Sequence, residues 1–194
     1  MSDLEQDLRL AERAAGGDET AWKAIYDSTS DRLFSLLCYQ VGDREQALDL
    51  LQDTYLRAFS KLGTYRGDAP LSVWLRRIAF RKAMDWKRTI LQRIKRTVEL
   101  NDTTAVEHPN TEHIRFDHER AAFTAALASL SPNQRAVLLL REWEAWSFEE
   151  VADLLGCKPS TARVHHVRAK EKMRTLLNDD PAWVEADGLE GQPV

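Results

Sequence analysis

The stretch SFEEVADLLGCKPSTARVHHVRAKEKMR (147–174) decides the fold of the C-terminal part of this 194-residue chain. Ser147 is followed three residues later by Glu150, the pattern of a capping box, so a short helix begins there and ends at Gly156. Pro159 opens a second, basic helix after the tight turn at 156–158. Two helices in this arrangement predict a helix-turn-helix that binds DNA.

The second helix of this motif has a composition that suits the major groove. Small polar residues at its N-terminus let the backbone approach the base edges, and the arginines further along reach phosphates. At 3.6 residues per turn, Ala162, Ala169 and Met173 face inward. We expect the opposite face to contact DNA through Ser160, Thr161, Arg163, Val164, Val167 and Arg168.

The net charge of −4 conceals alternating blocks of charge along the chain. Residues 76–96 carry nine Lys and Arg against one Asp, and residues 158–174 carry six against one Glu. Between them, residues 99–119 carry six acidic residues against one Arg. Two basic blocks with an acidic spacer predict two surfaces that bind a polyanion.

Helical periodicity dominates upstream, and the sequence contains no strand-like alternation. It predicts a helix over 18–41 that buries Trp22, Ile25, Tyr26, Leu33, Leu36 and Leu37. The next helix buries Leu48, Leu51, Tyr55, Phe59 and Leu62, and a third runs over about 71–95. Residues 97–118 lose the apolar period, and helix resumes near 119. We therefore predict an all-α fold of two small helical domains, 1–96 and 119–177, with a flexible acidic linker at 97–118 and a disordered acidic tail at 178–194.

The first basic block lies on the third helix, in WLRRIAFRKAMDWKR (74–88). Basic residues interleaved with aromatic ones suit single-stranded or melting DNA, because cations follow the backbone while rings stack on unpaired bases. Trp74 is in phase with Leu71 and Ile78, which favours a place in the core. Phe80 and Trp86 are candidates for stacking.

Two further stretches, QALDLLQDTYLRAFSKL (46–62) and the region 130–177 that begins LSPNQRAVLLLREWE, complete a pattern with the 74–88 helix. Together they resemble a bacterial RNA polymerase sigma factor of the extracytoplasmic-function (ECF) class. The resemblance implies a σ2 and a σ4 domain. It implies a protein that binds core RNA polymerase, directs it to promoters by reading the −35 and −10 elements, and helps melt DNA in a stress response.

The resemblance also assigns roles to residues. The 46–62 helix would bind the β′ clamp helices through Asp49, Gln52, Asp53 and Arg57, and the second domain would contact the β-flap. The loop at 63–70 would hold a base flipped out of the non-template strand. Contacts with the −10 element would come from Tyr65, Arg66, Arg77, Phe80, Arg81, Lys82, Asp85, Trp86 and Arg88. An anti-sigma factor is an implied partner.

Three positions depart from the family pattern. Arg81 stands where the family commonly has Asn, Lys82 replaces an aliphatic residue, and His166 replaces a frequent Leu. These departures bear on promoter preference, so base assignments are not carried over from the family. We hypothesise that Arg81 and Lys82 contact phosphates.

Other functional classes find less support. The histidines at 108, 113, 118, 165 and 166 lack the spacing of metal ligands, and no phosphate loop or nucleophile motif is present, so we expect no metal, cofactor, small-molecule substrate or enzymatic activity. The N-terminus lacks a secretory signal, no apolar run could span a membrane, and Cys38 and Cys157 form no disulfide framework, which predicts a cytoplasmic protein. The alternative is a free-standing helix-turn-helix regulator, with residues 1–96 sensing a ligand or forming a dimer. The 46–62 and 74–88 motifs favour the sigma factor.

Overall fold

A computed structural model describes residues 3–100 and 118–178, and all regular structure in these ranges is helical. The all-α prediction is therefore confirmed. The helices are α1 (Asp3–Ala15), α2 (Glu19–Val41), α3 (Arg44–Lys61), α4 (Leu71–Leu100), α5 (His118–Ser129), α6 (Pro132–Leu138), α7 (Phe148–Leu155) and α8 (Pro159–Asn178). A short 3-10 turn (Leu62–Thr64) follows α3, and a π-helical turn (Leu139–Trp143) follows α6.

The chain divides into two compact units, Met1–Glu107 and His108–Val194. In the first, α2, α3 and α4 pack on one another, and α1 packs mainly on α2. Asp18 caps α2 by accepting hydrogen bonds from the backbone N–H groups of Thr20 (3.0 Å) and Ala21 (3.1 Å). Gly42, with φ of 80°, ends α2 in the left-handed conformation that a side chain would disfavour.

The predicted buried face of α3 is confirmed for Leu51, Tyr55 and Leu62 and wrong for Leu48 and Phe59. Leu48 and Phe59 are 47% and 58% exposed, and Tyr26 on α2 is 43% exposed. Beside Leu51 and Tyr55, the helix turns Ala47, Leu50, Thr54 and Ala58 inward. The small side chains of Ala47 and Ala58 are fully buried and allow close packing of helices, which rotates the larger apolar residues toward solvent.

The second unit is organised by helix caps that the sequence predicts. Ser131 and Gln134 form one capping box, and Ser147 and Glu150 form another, in which each pair exchanges side-chain and backbone hydrogen bonds. The Ser147 hydroxyl accepts from the Glu150 backbone N–H at 3.1 Å, and the Glu150 carboxylate accepts from the Ser147 N–H at 2.9 Å. Both helix starts are therefore confirmed.

Some boundaries differ from the prediction. Helix α1 was not predicted, and α4 extends to Leu100 instead of ending near residue 95. Residues 101–117, which form most of the predicted linker, and residues 179–194 of the predicted tail lie outside the described ranges.

Candidate protein and nucleic-acid interfaces

A groove of about 510 Å³ lies between α2 and α3, and we call it the α3 groove. Its lining is mainly apolar: Trp22, Tyr26, Leu48, Asp49, Leu51, Gln52, Tyr55, Leu56 and Phe59. Leu56 is 65% exposed, the highest value among the exposed large apolar residues of the described ranges. Such a concentration of exposed apolar side chains marks a surface that binds a partner.

The aromatic side chains of the α3 groove hold one another in place. The ring of Trp22 meets Phe59 edge to face at 5.3 Å between centroids and Tyr55 at 6.1 Å. The hydroxyls of Tyr55 and Thr29 are 2.7 Å apart, and burial raises the pKa of Tyr55, so the phenol stays neutral. The groove is therefore preformed.

The residues predicted to bind polymerase are spread over two faces of α3. Asp49 and Gln52 line the α3 groove. Asp53 turns toward α4, where its carboxylate is 3.0 Å from the Lys82 ammonium. Arg57 is exposed on α3 and lines neither of the grooves described here.

A second groove of about 560 Å³ separates α3 from α4. Lys82, Asp85 and Trp86, all predicted to contact DNA, line it together with Asp53. Trp86 is half-buried against the core, and Asp85 lies 3.5 Å from Arg88. The hypothesis that Lys82 contacts a phosphate stays a prediction, because here its ammonium is paired with a carboxylate.

The loop before α4 forms a pocket of about 210 Å³, which we call the loop pocket. Its lining brings together three predicted DNA contacts, Tyr65, Arg66 and Arg77, with Trp74. The Tyr65 hydroxyl donates a hydrogen bond to the Ala69 carbonyl at 2.6 Å, and burial raises the Tyr65 pKa. Aromatic rings beside guanidinium groups suit a planar, polar ligand such as a nucleobase.

The prediction that Phe80 contacts DNA is wrong. Phe80 is 1% exposed, so its ring belongs to the core and offers no face to a base. Phe80 is a sequence neighbour of basic residues, but successive residues of a helix point about 100° apart, so its ring faces the core while Arg81 is exposed. For Trp74, the sequence favoured a place in the core. The Trp74 side chain does pack against the core, and it also lines the loop pocket.

The predicted faces of the C-terminal helix α8 are confirmed. Ala162 and Ala169 are fully buried, and Met173 is 6% exposed. All six predicted DNA contacts on this helix are exposed, Val164 and Val167 by about half. Their contact with DNA stays a prediction.

Contacts between polar side chains attach α8 to the preceding elements of its unit, and one of them joins the Lys170 ammonium to the Glu142 carboxylate at 3.6 Å. The Arg163 guanidinium donates to the Glu149 carboxylate at 3.1 Å. His166 Nε2 lies 2.6 Å from the Glu142 carboxylate, which lowers the pKa of Glu142. His166 is thus a half-buried link to the π-helical turn that holds Glu142.

The described residues contain no group of three or more His, Cys, Asp or Glu side chains placed to hold a metal ion. His108 and His113 lie outside the described ranges. Over 3–100 and 118–178, no helix has the length and apolarity needed to cross a membrane.

Comparisons with known proteins agree with the geometry. The family model of Sigma-70 region 2 matches residues 25–93, and that of Sigma-70 region 4 matches residues 120–173. The RNA polymerase sigma-H factor of Pseudomonas aeruginosa is 30% identical, over 91% of this chain and 96% of its own length. The ECF RNA polymerase sigma factor SigX of Bacillus subtilis is 32% identical, over 86% of this chain and 92% of its own.

Among solved structures, the chain is similar to the sigma factor RpoE in complex with the anti-sigma factor NepR from Bartonella quintana. The identity is 25% and the TM-score 0.62, covering 81% of this chain and 97% of that one. CnrH, solved in complex with the cytosolic domain of CnrY, shares the fold at 23% identity and a TM-score of 0.60. That match covers 90% of this chain and 98% of the CnrH chain.

Proposed function

The chain belongs to the ECF class of RNA polymerase sigma factors, and from that membership we propose how its two helical units divide the work of promoter recognition. As a promoter-specific sigma factor it binds core RNA polymerase and promoter DNA. Its family consists of transcription initiation factors, not catalytic enzymes.

We assign polymerase binding and the −10 element to residues 1–96, a linker to 97–118, and the −35 element to 119–177. Its place of action is the cytoplasm, where bacterial promoters are transcribed.

The α3 groove is our candidate for the site that binds core polymerase. The observation that carries this assignment is the exposure of Leu56 and Phe59 on a preformed, aromatic surface. An apolar groove between two helices accepts one face of a partner helix, as in other helix-in-groove complexes. Asp49 and Gln52 at its edge supply polar contacts that fix the register. We therefore place the β′ clamp helices here.

The loop pocket is our candidate for the flipped base of the −10 element. A base that leaves the duplex loses its stacking, which costs a few kcal/mol. Stacking on the partly exposed Trp74 and hydrogen bonds to Arg66 or Arg77 would offset part of that cost. Arg81 and Arg88, exposed on α4, would then contact phosphates of the same strand.

The exposed face of α8 is our candidate for reading the −35 element in the major groove. Its first turn carries Ser160 and Thr161, whose small side chains permit close approach, and Arg163 follows one turn later. The β-flap of polymerase would contact this unit on another face.

An anti-sigma factor is the proposed inhibitory partner. The similar RpoE of Bartonella quintana was solved bound to such a factor. An inhibitor that covers the α3 groove would exclude polymerase by direct competition for the same apolar side chains.

Two assays with purified core polymerase and the full chain test this proposal. In a pull-down, we expect the wild-type protein to bind core polymerase. In run-off transcription from its own upstream region, we expect a discrete transcript only when the protein is present. Specific DNA binding by the protein alone, without polymerase binding, would instead support a free-standing regulator.

A further inference from the structure

We propose that Glu149 is a positioning residue that sets the base preference of Arg163 in the −35 element. The inference rests on the proposed function, because it requires α8 to read DNA. It adds a residue outside the reading helix to the determinants of specificity. Glu149 lies on α7 and Arg163 on α8, so the contact crosses from one helix of the motif to the other.

The Arg163 side chain is held at two points. Its Nη2 atom is 3.1 Å from Oε1 of Glu149, and its guanidinium carbon lies 5.2 Å from the centre of the Phe148 ring. The two side chains of the ion pair keep 54% and 64% of their exposure, so the guanidinium still faces solvent. It is therefore oriented and remains accessible to a base.

The residues that hold Arg163 are themselves fixed. Phe148 and Glu149 are the first two residues of α7, directly after the Ser147 capping box. The Phe148 ring also lies 4.4 Å from the guanidinium carbon of Arg141 and meets the His166 ring edge to face at 5.4 Å. Arg141 in turn donates to the Trp146 carbonyl. Arg163 is thus held by residues of α7 whose own positions are fixed by the capping box and by these contacts.

Orientation matters because arginine reads guanine with two parallel hydrogen bonds, to O6 and N7, which require a defined plane of the guanidinium. A free arginine side chain samples many rotamers and contacts phosphates as readily as bases. Two fixed contacts reduce the number of rotamers that the Arg163 side chain can adopt. We infer that Glu149 favours the base-reading orientation and that the base concerned is a guanine.

The charge of Glu149 makes the inference testable, because its two possible effects have different signatures. A carboxylate near DNA repels phosphates, so its removal by charge alone strengthens binding to every sequence equally. Loss of orientation instead weakens the preference for one base at one position. A base-preference profile separates the two effects.

The experiment uses holoenzyme assembled from core polymerase and the full chain, with a promoter library randomised in the −35 element. Transcripts are sequenced for the wild type, Arg163→Ala, Glu149→Gln and the double variant. Glu171→Gln is the matched control, since it removes a carboxylate from an exposed position on α8. Thermal unfolding of each variant verifies that the fold is retained.

We expect Arg163→Ala to reduce the guanine preference at one position by roughly 5- to 150-fold. Glu149→Gln should reduce it at the same position by about 2- to 5-fold, the range for an exposed ion pair. It should have no further effect when Arg163 is absent, and Glu171→Gln should leave the profile unchanged. A Glu149→Gln profile identical to wild type, or an equal effect in the Arg163→Ala background, would overturn the inference.

Failure of the underlying proposal has a different result. If Arg163→Ala itself leaves the base-preference profile unchanged, the assignment of Arg163 to a base is wrong. The positioning role of Glu149 is then wrong as well. If the wild-type holoenzyme shows no preference at any −35 position, the assignment of promoter reading to α8 is wrong.

Discussion

Truncation of Phe59 to alanine tests the α3 groove as the polymerase-binding surface. Phe59 is 58% exposed, and a phenylalanine buries about 200 Å² when fully covered, so about 100 Å² remains available to a partner. At about 25 cal/mol per Å², that area contributes about 2.5 kcal/mol to binding. We expect Phe59→Ala to weaken the affinity for core polymerase by about 10- to 100-fold.

The same substitution has a smaller effect on the free energy of unfolding. It removes the edge-to-face contact with Trp22, and we expect a loss of about 1–2 kcal/mol. The affinity is measured by titrating labelled protein with core polymerase, and the stability by urea denaturation. The control is Leu4→Ala, which truncates an exposed apolar residue on α1 outside the groove and should change the affinity less than about twofold. If folded Phe59→Ala bound polymerase as tightly as the wild type, the groove assignment would be refuted.

Three further predictions concern stability. Phe80→Ala should lower the free energy of unfolding by about 3–5 kcal/mol in urea denaturation, because it empties a core site; lost promoter activity at unchanged stability would contradict that assignment. Ser147→Ala should cost about 1 kcal/mol by thermal unfolding, since the cap of α7 is lost, whereas Ser147→Asp should retain most of the stability. Burial raises the pKa of Cys38 from 9.0 to about 11, so the folded state keeps a proton that the unfolded state loses. Stability should therefore fall as the pH rises from about 9 to about 11, and a slope unchanged in Cys38→Ala would contradict this.

Local signals in the sequence predicted much of the fold. Ser131, Ser147 and Asp18 mark helix starts because a side-chain oxygen next to a helix end satisfies free backbone N–H groups, a requirement that does not depend on distant residues. Likewise, the inward position of Ala162 and Ala169 follows from helical geometry once α8 is placed. The missed helix α1 has an acidic composition and a narrow buried face, with only Ala11 and Ala14 buried.

The surfaces were harder to predict than the helices. An apolar residue at helical spacing fits either the core or an exposed interface, and the pattern alone assigned Leu48 and Phe59 to the core. Conversely, the basic neighbours of Phe80 suggested a DNA contact, although its ring is buried. Only the packing of α3 against α2 and α4 determines which apolar side chains are covered.

By itself, the sequence determined the all-α class, the helix-turn-helix, the capped helix starts and the resemblance to ECF sigma factors, because these depend on local periodicity, caps and motif order. The tertiary structure decided the α3 groove, the loop pocket, the burial of Phe80 and the contact of Arg163 with Glu149. Each of these depends on the distance between side chains from different segments of the chain, and that distance is set when the helices pack.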